Sequence, residues 1–311
     1  MRAVAGASGE GHVDWLAAAN AAKASMDPGS LALSADERDG YARDVRAARD
    51  QVRAVTGVGF DLPETAQVQN RHHWIDANVE TFSRVMKPLE KHSVGLFPDV
   101  ARTMNTGTMT VMLSVLGRNV LGQYDPLLLA DSDDHALYFV HPNIERVADE
   151  LTVDRDRFRR WIAFHEVAHA AEFGAAPWLS SHLETRVERG VEALARGGID
   201  REAFQELDNA MTAVEGYAEL VMDRAFDDEY VDLREKLDER RKGAGPVSRL
   251  LRRLLGLGLK RRQYERGKAF FETVADEVGV ERAAVVWDTP ANLPSEKELD
   301  DPHAWIRRVD P

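Results

Sequence analysis

The sequence predicts a mainly α protein with one small β element, on three observations. Apolar residues recur at helical spacing through most of its 311 residues. A single stretch, around residues 125–140, breaks into short apolar runs separated by turn residues. One helical segment carries the spacing His-Glu-x-x-His. The length allows one large domain or two ordinary ones, and 44% hydrophobic residues are enough for a packed core. There is no internal repeat, low-complexity tract or clear linker, so one domain over residues 1–311 is the expectation.

Taken in order, residues 34–55 open with Ser34-Ala-Asp-Glu37, a capping box, and continue through Tyr41, Val45, Ala48 and Val52 at helical spacing. A second helix covers 70–91, ending near Lys87-Pro88 or just beyond. A third, Val100 to Leu121, is apolar on nearly all sides through Met104, Met109, Val111, Met112, Leu113, Val115 and Leu116, and reads as a central buried helix. Asp125-Pro126 starts a turn. Leu127–Ala130 and Ala136–Val140 read as two strands joined by the acidic loop Asp131-Ser-Asp-Asp134. Helices then follow at about 154–174, 178–196, 200–226, 228–242, 246–256 and 260–279. The proline-punctuated tail is expected to wrap over the body.

Composition excludes several chemistries. With no cysteine there is no disulfide scaffold, Cys-based zinc finger, iron–sulfur site or thiol nucleophile, so any metal is held by His, Asp or Glu. Forty basic against 53 acidic residues leave a net charge of −13, which repels nucleic-acid phosphates. The basic residues comprise eight lysines and 32 arginines, a composition that suits a salt-rich cytoplasm or a GC-rich genome. No apolar run approaches the ~20 residues of a membrane span, and MRAVAGASGEGHVDW lacks a signal-peptide core. The expectation is a soluble, cytoplasmic protein with no stable membrane insertion.

The chemistry lies in Trp161-Ile-Ala-Phe-His165-Glu166-Val-Ala-His169-Ala-Ala-Glu172. Residues four apart on a helix are separated by about 40° and one turn, so His165 and His169 converge on one ion. Glu166, about 100° from His165, reaches a metal-bound water without being a ligand. Zinc lowers the pKa of that water toward ~7, and the carboxylate takes its proton as it attacks a carbonyl. At the abundances of His and Glu here, chance predicts roughly 0.03 such motifs. Phe158, Trp161, Ile162, His165, Ala168 and His169 share one face, which points both histidines inward.

A third protein ligand is required. The pattern H-E-x-x-H-x-x-G-x-x-H is absent, because position 172 is Glu and 175 is Ala. The best candidate is Glu215 in Val214-Glu-Gly-Tyr-Ala-Glu-Leu220, at the edge of a stripe formed by Phe204, Leu207, Met211, Val214, Ala218, Val221 and Met222. A core-facing carboxylate is costly unless paired or metal-bound, and Gly216 beside it lets another backbone approach. Glu219, a further 40° toward solvent, is the second choice. Glu172 or Asp223 would orient a ligand histidine from behind.

The run FHEVAHAAEFGAAPWL, with EGYAELVMD some 45 residues on, resembles an uncharacterised prokaryotic zincin-like family. Its members are described as zinc-dependent metalloproteases or as associated with deazaflavin-coenzyme biosynthesis. VLGQYDP at 120–126, KRRQYERGKAFF at 260–271 and LPSEKELDDPHAWIRRV near the end are similar too. The likeness covers residues 70–311 as a family-like core, leaving 1–69 as a helical N-terminal extension. It implies a zincin-like helical fold, zinc held by His165, His169 and Glu215, and Glu166 as base. It also implies an amide where this chain has Glu172, so the charge around the metal differs. The activity expected is zinc-dependent, metallopeptidase-like cleavage of a peptide or amide. The alternative is a non-catalytic zincin-fold protein whose structural or vestigial metal serves partner binding.

Other features read more plainly. Residues 240–262 carry nine basic residues and no acid, and are expected to pack their leucines on the acidic body rather than on a membrane or nucleic acid. His72-His73 read as a solvated pair. His182, Tyr217, Tyr124 and Tyr264 are candidates to polarise a substrate carbonyl.

Overall fold

Helices dominate the computed structural model, which describes residues 12–63, 66–92, 98–125, 135–226, 230–242 and 260–311. In chain order the first half runs α1 (Trp15–Ala24), α2 (Ala35–Thr56), β1 (Ala66–Gln69), α3 (Arg71–His92), α4 (Pro98–Asn119), β2 (Gly122–Asp125), β3 (Ala136–Val140) and α5 (His141–Leu151). The second half runs α6 (Arg155–Ala175), α7 (Leu179–Ala195), α8 (Arg201–Ala225), α9 (Val231–Lys242) and α10 (Lys260–Val278). Three short helices follow: α11 (Val280–Ala283), α12 (Glu296–Asp300) and α13 (Pro302–Val309). The fold is mainly α with a small sheet, as the periodicity predicts. The chain divides into two compact units, each discontinuous in sequence: Met1–Arg38, Pro63–Val147 and Glu184–Ala203 form one, and Asp39–Leu62, Ala148–Leu183 and Phe204–Pro311 the other.

In the first unit the sheet has the order β1-β3-β2, with β1 parallel and β2 antiparallel to β3. The central strand is the one the sequence identifies. Leu137, Phe139 and Val140 are almost fully buried, so that strand needs a continuous apolar run. Its partners, Ala-Gln-Val-Gln and Gly-Gln-Tyr-Asp, lie at the edges and carry no such signal. The strand antiparallel to β3 is therefore Gly122–Asp125, with Tyr124 opposite Leu137. The expected strand at 127–130 lies outside the described residues, as do the acidic loop and the helix expected at 246–256.

Helix α1, absent from the sequence reading, is capped by Asp14, whose carboxylate accepts from the Ala17 N–H at 2.8 Å. Its small buried residues Ala18, Ala19 and Ala22 form a core with Trp74, Ile75, Leu113 and Val140. Helix α4 is not buried all round. Val100, Met104 and Val111 are 59%, 69% and 51% exposed, while Arg102, Thr106, Leu113 and Ser114 face inward. Polar docking selects that face: Asp14 pairs with Arg102, and its backbone N–H donates to Thr106 Oγ1 at 2.9 Å. Helix α5 was also unforeseen. Its Asn143, wholly buried, donates to the Gly117 and Val120 carbonyls at the end of α4.

In the second unit α2 begins as predicted. Ser34 and Glu37 exchange bonds of 2.7 and 3.2 Å in a capping box at its first turn, just before this unit starts. Helix α6, capped by Asp154, is enclosed on nearly every side. Its buried Arg159 is gripped by Asp44 and Asp156, each at 2.7 Å, and stacks over the Tyr41 ring. Helices α8 and α10 cross at two glycines. A Cβ on Gly216 would lie 2.3 Å from the Gly267 carbonyl carbon, and one on Gly267 would lie 2.2 Å from the Thr212 oxygen. The tail closes over α10 as expected: Trp305 is fully buried, edge-on to Phe270 at 5.5 Å, with its indole N–H on the Asn292 carbonyl. Arg308 forks onto Glu298 at 2.6 and 3.1 Å, and Glu298 completes a capping box with Ser295.

Two stability predictions follow from these contacts. Gly216→Ala drives a methyl into immobile backbone and is expected to cost about 3 kcal/mol, the upper end for overpacking. An unchanged melting temperature would show that the two helices do not cross this closely. At Glu298, burial pushes the carboxyl up, but Arg308 and the Ser295 N–H and hydroxyl outweigh it and hold it below the usual range. A depressed folded-state pKa contributes stability that is present at neutral pH and lost as pH falls through it. Glu298→Ala is therefore expected to lower stability by about 1–2 kcal/mol at pH 7, most of it the cap because Arg308 is partly exposed. The difference between the thermal melts of the two proteins should shrink as pH falls below the ordinary glutamate range.

Candidate metal centre

The central helix α6 carries His165 and His169 one turn apart, with ring centroids 4.7 Å apart and planes at 76°. Trp161, one further turn back, lies parallel to His165 at 5.7 Å and 5°, a flat wall that limits rotation of that imidazole. The spacing of four residues puts Trp161 on this face, where the sequence pattern alone marks it as a core residue.

Helix α8 brings a third candidate donor alongside. One ligand atom each from His165, His169 and Glu215 lie within 4.8 Å of one another. The His169 Nε2 to Glu215 Oε2 distance is 4.0 Å. On its other side His169 Nδ1 meets Glu172 Oε2 at 2.8 Å. A carboxylate on Nδ1 fixes the tautomer whose Nε2 lone pair faces Glu215. Glu172 thus stands where an orienting residue is expected. Asp223 does not, since it is held by Arg234 on α9 and Lys268 on α10.

Glu166 is 6% exposed, Glu215 4%, Glu219 6% and Glu172 fully buried. Glu219 is thus as buried as Glu215, contrary to the expectation that it leans to solvent. From Thr212 to Met222 helix α8 is enclosed on all sides, so extrapolating a single stripe fails there. Burial pushes the His169 imidazole down, but Glu172, Glu215 and Glu166 overturn this and raise it to about 9. Burial raises Glu172 to about 7 against the pull of His169. One oxygen of Glu172 is buried without a hydrogen-bond partner. A local field that strongly favours positive charge, with two imidazoles and a carboxylate as donors, fits zinc.

The remaining candidates fall elsewhere. Tyr217 is a core residue, wedged edge-on against Phe271 and Trp287 at 5.3 and 5.4 Å, and burial drives its phenol far above the usual range. His182 packs on Trp178. Tyr124 bonds His135 in the other unit at 2.9 Å. The Tyr264 side chain lies outside the description. His73 is exposed and His72 lies 3.2 Å from the Met26 carbonyl. Among the described residues a second group, Glu37, His141 and Glu145, meets the same distance test, but Glu37 is engaged in the cap of α2.

A zincin-like metallopeptidase profile matches residues 13–198 and 190–306, nearly the whole chain. The chain belongs to the zincin-like metallopeptidase family. It is also similar to a crystal structure from Chloroflexus aurantiacus described as a "putative hydrolase with a novel fold", with 31% sequence identity and a TM-score of 0.78. That match covers 96% of this chain and 99% of the other. No curated protein matches. Family membership and the helical fold accord with the resemblance drawn from the motifs, including its extension past the metal helix.

Zinc titrations test the donor set. Wild-type protein is expected to hold about one zinc per chain, and His165→Ala/His169→Ala none. Glu215→Ala should weaken binding strongly and lower the holo melting temperature. Glu172→Ala, which frees an imidazole and removes a neighbouring charge, should cost about 10–100-fold in affinity. Loss of the metal in Glu219→Ala with retention in Glu215→Ala would reassign the third donor.

Proposed function

We propose that this protein is a zinc-dependent hydrolase that cleaves an amide bond, with a peptide or peptide-like substrate. The observation that carries the reading is the convergence of His165, His169 and Glu215 donor atoms within 4.8 Å beside the buried Glu166. Bound there, zinc supplies Lewis acidity and makes a water nucleophilic near neutral pH. His165 and His169 on α6 and Glu215 on α8 would hold the cation. Glu166, next to His165 on the metal helix, accepts the proton of the attacking water and returns it to the leaving nitrogen. Glu172 positions His169 by accepting from Nδ1, and Trp161 positions His165 by stacking. Family membership supports the reaction class, and the described helices contain none long and apolar enough to cross a membrane.

Glu166→Gln separates catalysis from metal binding. The amide keeps the shape but takes no proton, so zinc content should stay at the wild-type level while turnover of a peptide library falls roughly 10²–10⁴-fold. Full activity in this variant would remove Glu166 from the chemistry. Full zinc loading with no hydrolysis by wild-type protein would favour the non-catalytic alternative.

A further inference from the structure

Tyr217 is 1% exposed, and its hydroxyl is buried without a hydrogen-bond partner among the described residues. It lies two positions after Glu215 on α8, and its ring is fixed edge-on against Phe271 and Trp287. Glu172, wholly buried on α6, has the complementary defect. Its Oε2 holds His169 Nδ1 at 2.8 Å, while Oε1 has no hydrogen-bond partner among the described residues. Trp287 adds a third such atom, an indole N–H buried without an acceptor. All three residues belong to the second unit.

The plain reading is that Tyr217 fills space and that its hydroxyl is incidental. Phenylalanine would fill the same wedge, and it would avoid the cost of an unpaired buried hydroxyl. The needs of the three atoms are also matched, with two donors and one acceptor. Helices α6 and α8 bring them to one region. His169 faces Glu215, and Glu172 lies three residues beyond His169. The Ala218 N–H, next in the chain to Tyr217, favours the charged form of Glu172. Burial drives the Tyr217 phenol up and the Glu172 charge drives it further, so the hydroxyl keeps its proton. Yet none of the three atoms bonds another directly. Buried polar groups in this situation are ordinarily joined by an internal water, which makes about three hydrogen bonds.

We propose that one buried water joins Tyr217 to Glu172, and that Tyr217 is thereby a positioning residue of the metal centre. The water accepts from the Tyr217 hydroxyl and the Trp287 indole N–H, and donates to Glu172 Oε1. Held at both oxygens, the Glu172 carboxylate cannot swing off His169 Nδ1. The imidazole then keeps the orientation that presents Nε2 toward Glu215. This inference rests on His165, His169 and Glu215 being the donor set, and it extends the support of His169 through Glu172 to a side chain of α8.

Two measurements test this. A crystal structure of the full chain, which needs no variant, is expected to show a water within about 3.0 Å of both Tyr217 Oη and Glu172 Oε1. Well-ordered density without that water overturns the bridge. In zinc titrations Tyr217→Phe is expected to weaken binding about 2–10-fold, the scale of one hydrogen bond, with its circular dichroism unchanged. The same substitution in a Glu172→Ala background should cost less than about twofold, because the group it acts through is already gone. Equal losses in the two backgrounds would mark a structural role for Tyr217. Intact zinc affinity with a raised melting temperature would mark an incidental hydroxyl. Either result overturns the positioning role. Failure of wild-type protein to bind zinc would overturn the donor set and the positioning role together, while the water is judged from the crystal alone.

Discussion

Burying carboxylates close together is among the most costly things a fold can do, and helices α6 and α8 bury four within a few turns of each other. Glu166, Glu172, Glu215 and Glu219 are all less than a tenth exposed. Burial pushes the neighbouring His169 down, but Glu172, Glu215 and Glu166 lift it to about 9, and the donor atoms of His165, His169 and Glu215 lie close enough together to take a cation. The packing around the pair serves this constraint. Helix α6 is enclosed through Ala163, Ala168, Ala170 and Ala171, whose small side chains let other elements come near. Helix α8 is pressed by α10 at Gly216 and Gly267, backbone on backbone, and the residue so constrained is the immediate neighbour of Glu215.

The carboxylate at position 172 gives this centre its own character. The resemblance to the zincin-like family implies an amide there, which would accept a bond from His169 without contributing charge. Glu172 contributes both, and its second oxygen is buried with no hydrogen-bond partner. A charged acceptor on Nδ1 makes the imidazole a stronger donor on Nε2. A cation bound there would be held more tightly, and its acidity would be reduced.

Polar contacts also decide the first unit, in a different way. Asp14, Thr106 and Arg102 choose which side of α4 meets α1, leaving Val100, Met104 and Val111 exposed. Asn143 bridges α5 to the end of α4 and accepts from Arg71 at the start of α3. These bonds run between segments far apart in sequence.

What the sequence determined by itself is what depends on neighbours within one or two turns. The helical periodicities, the Ser34–Glu37 cap, the central strand Ala136–Val140 with both faces buried, and the placing of His165, Glu166 and His169 on one helix all follow from backbone geometry at short range. Gly216 was legible as a point of close approach because no other residue type permits one. Tertiary structure decided whatever needed a distant partner. The edge strands Ala66–Gln69 and Gly122–Asp125 exist because β3 offers them hydrogen bonds, and their own side chains carry no signal. The exposed face of α4 depended on where Asp14 landed, and the burial of Glu219 on α8 being enclosed from all sides. That Glu215, rather than Glu219, lies with the two histidines is set by the angle at which α8 meets α6. An angle of that kind is fixed by the sum of many side-chain contacts, and no local pattern encodes it.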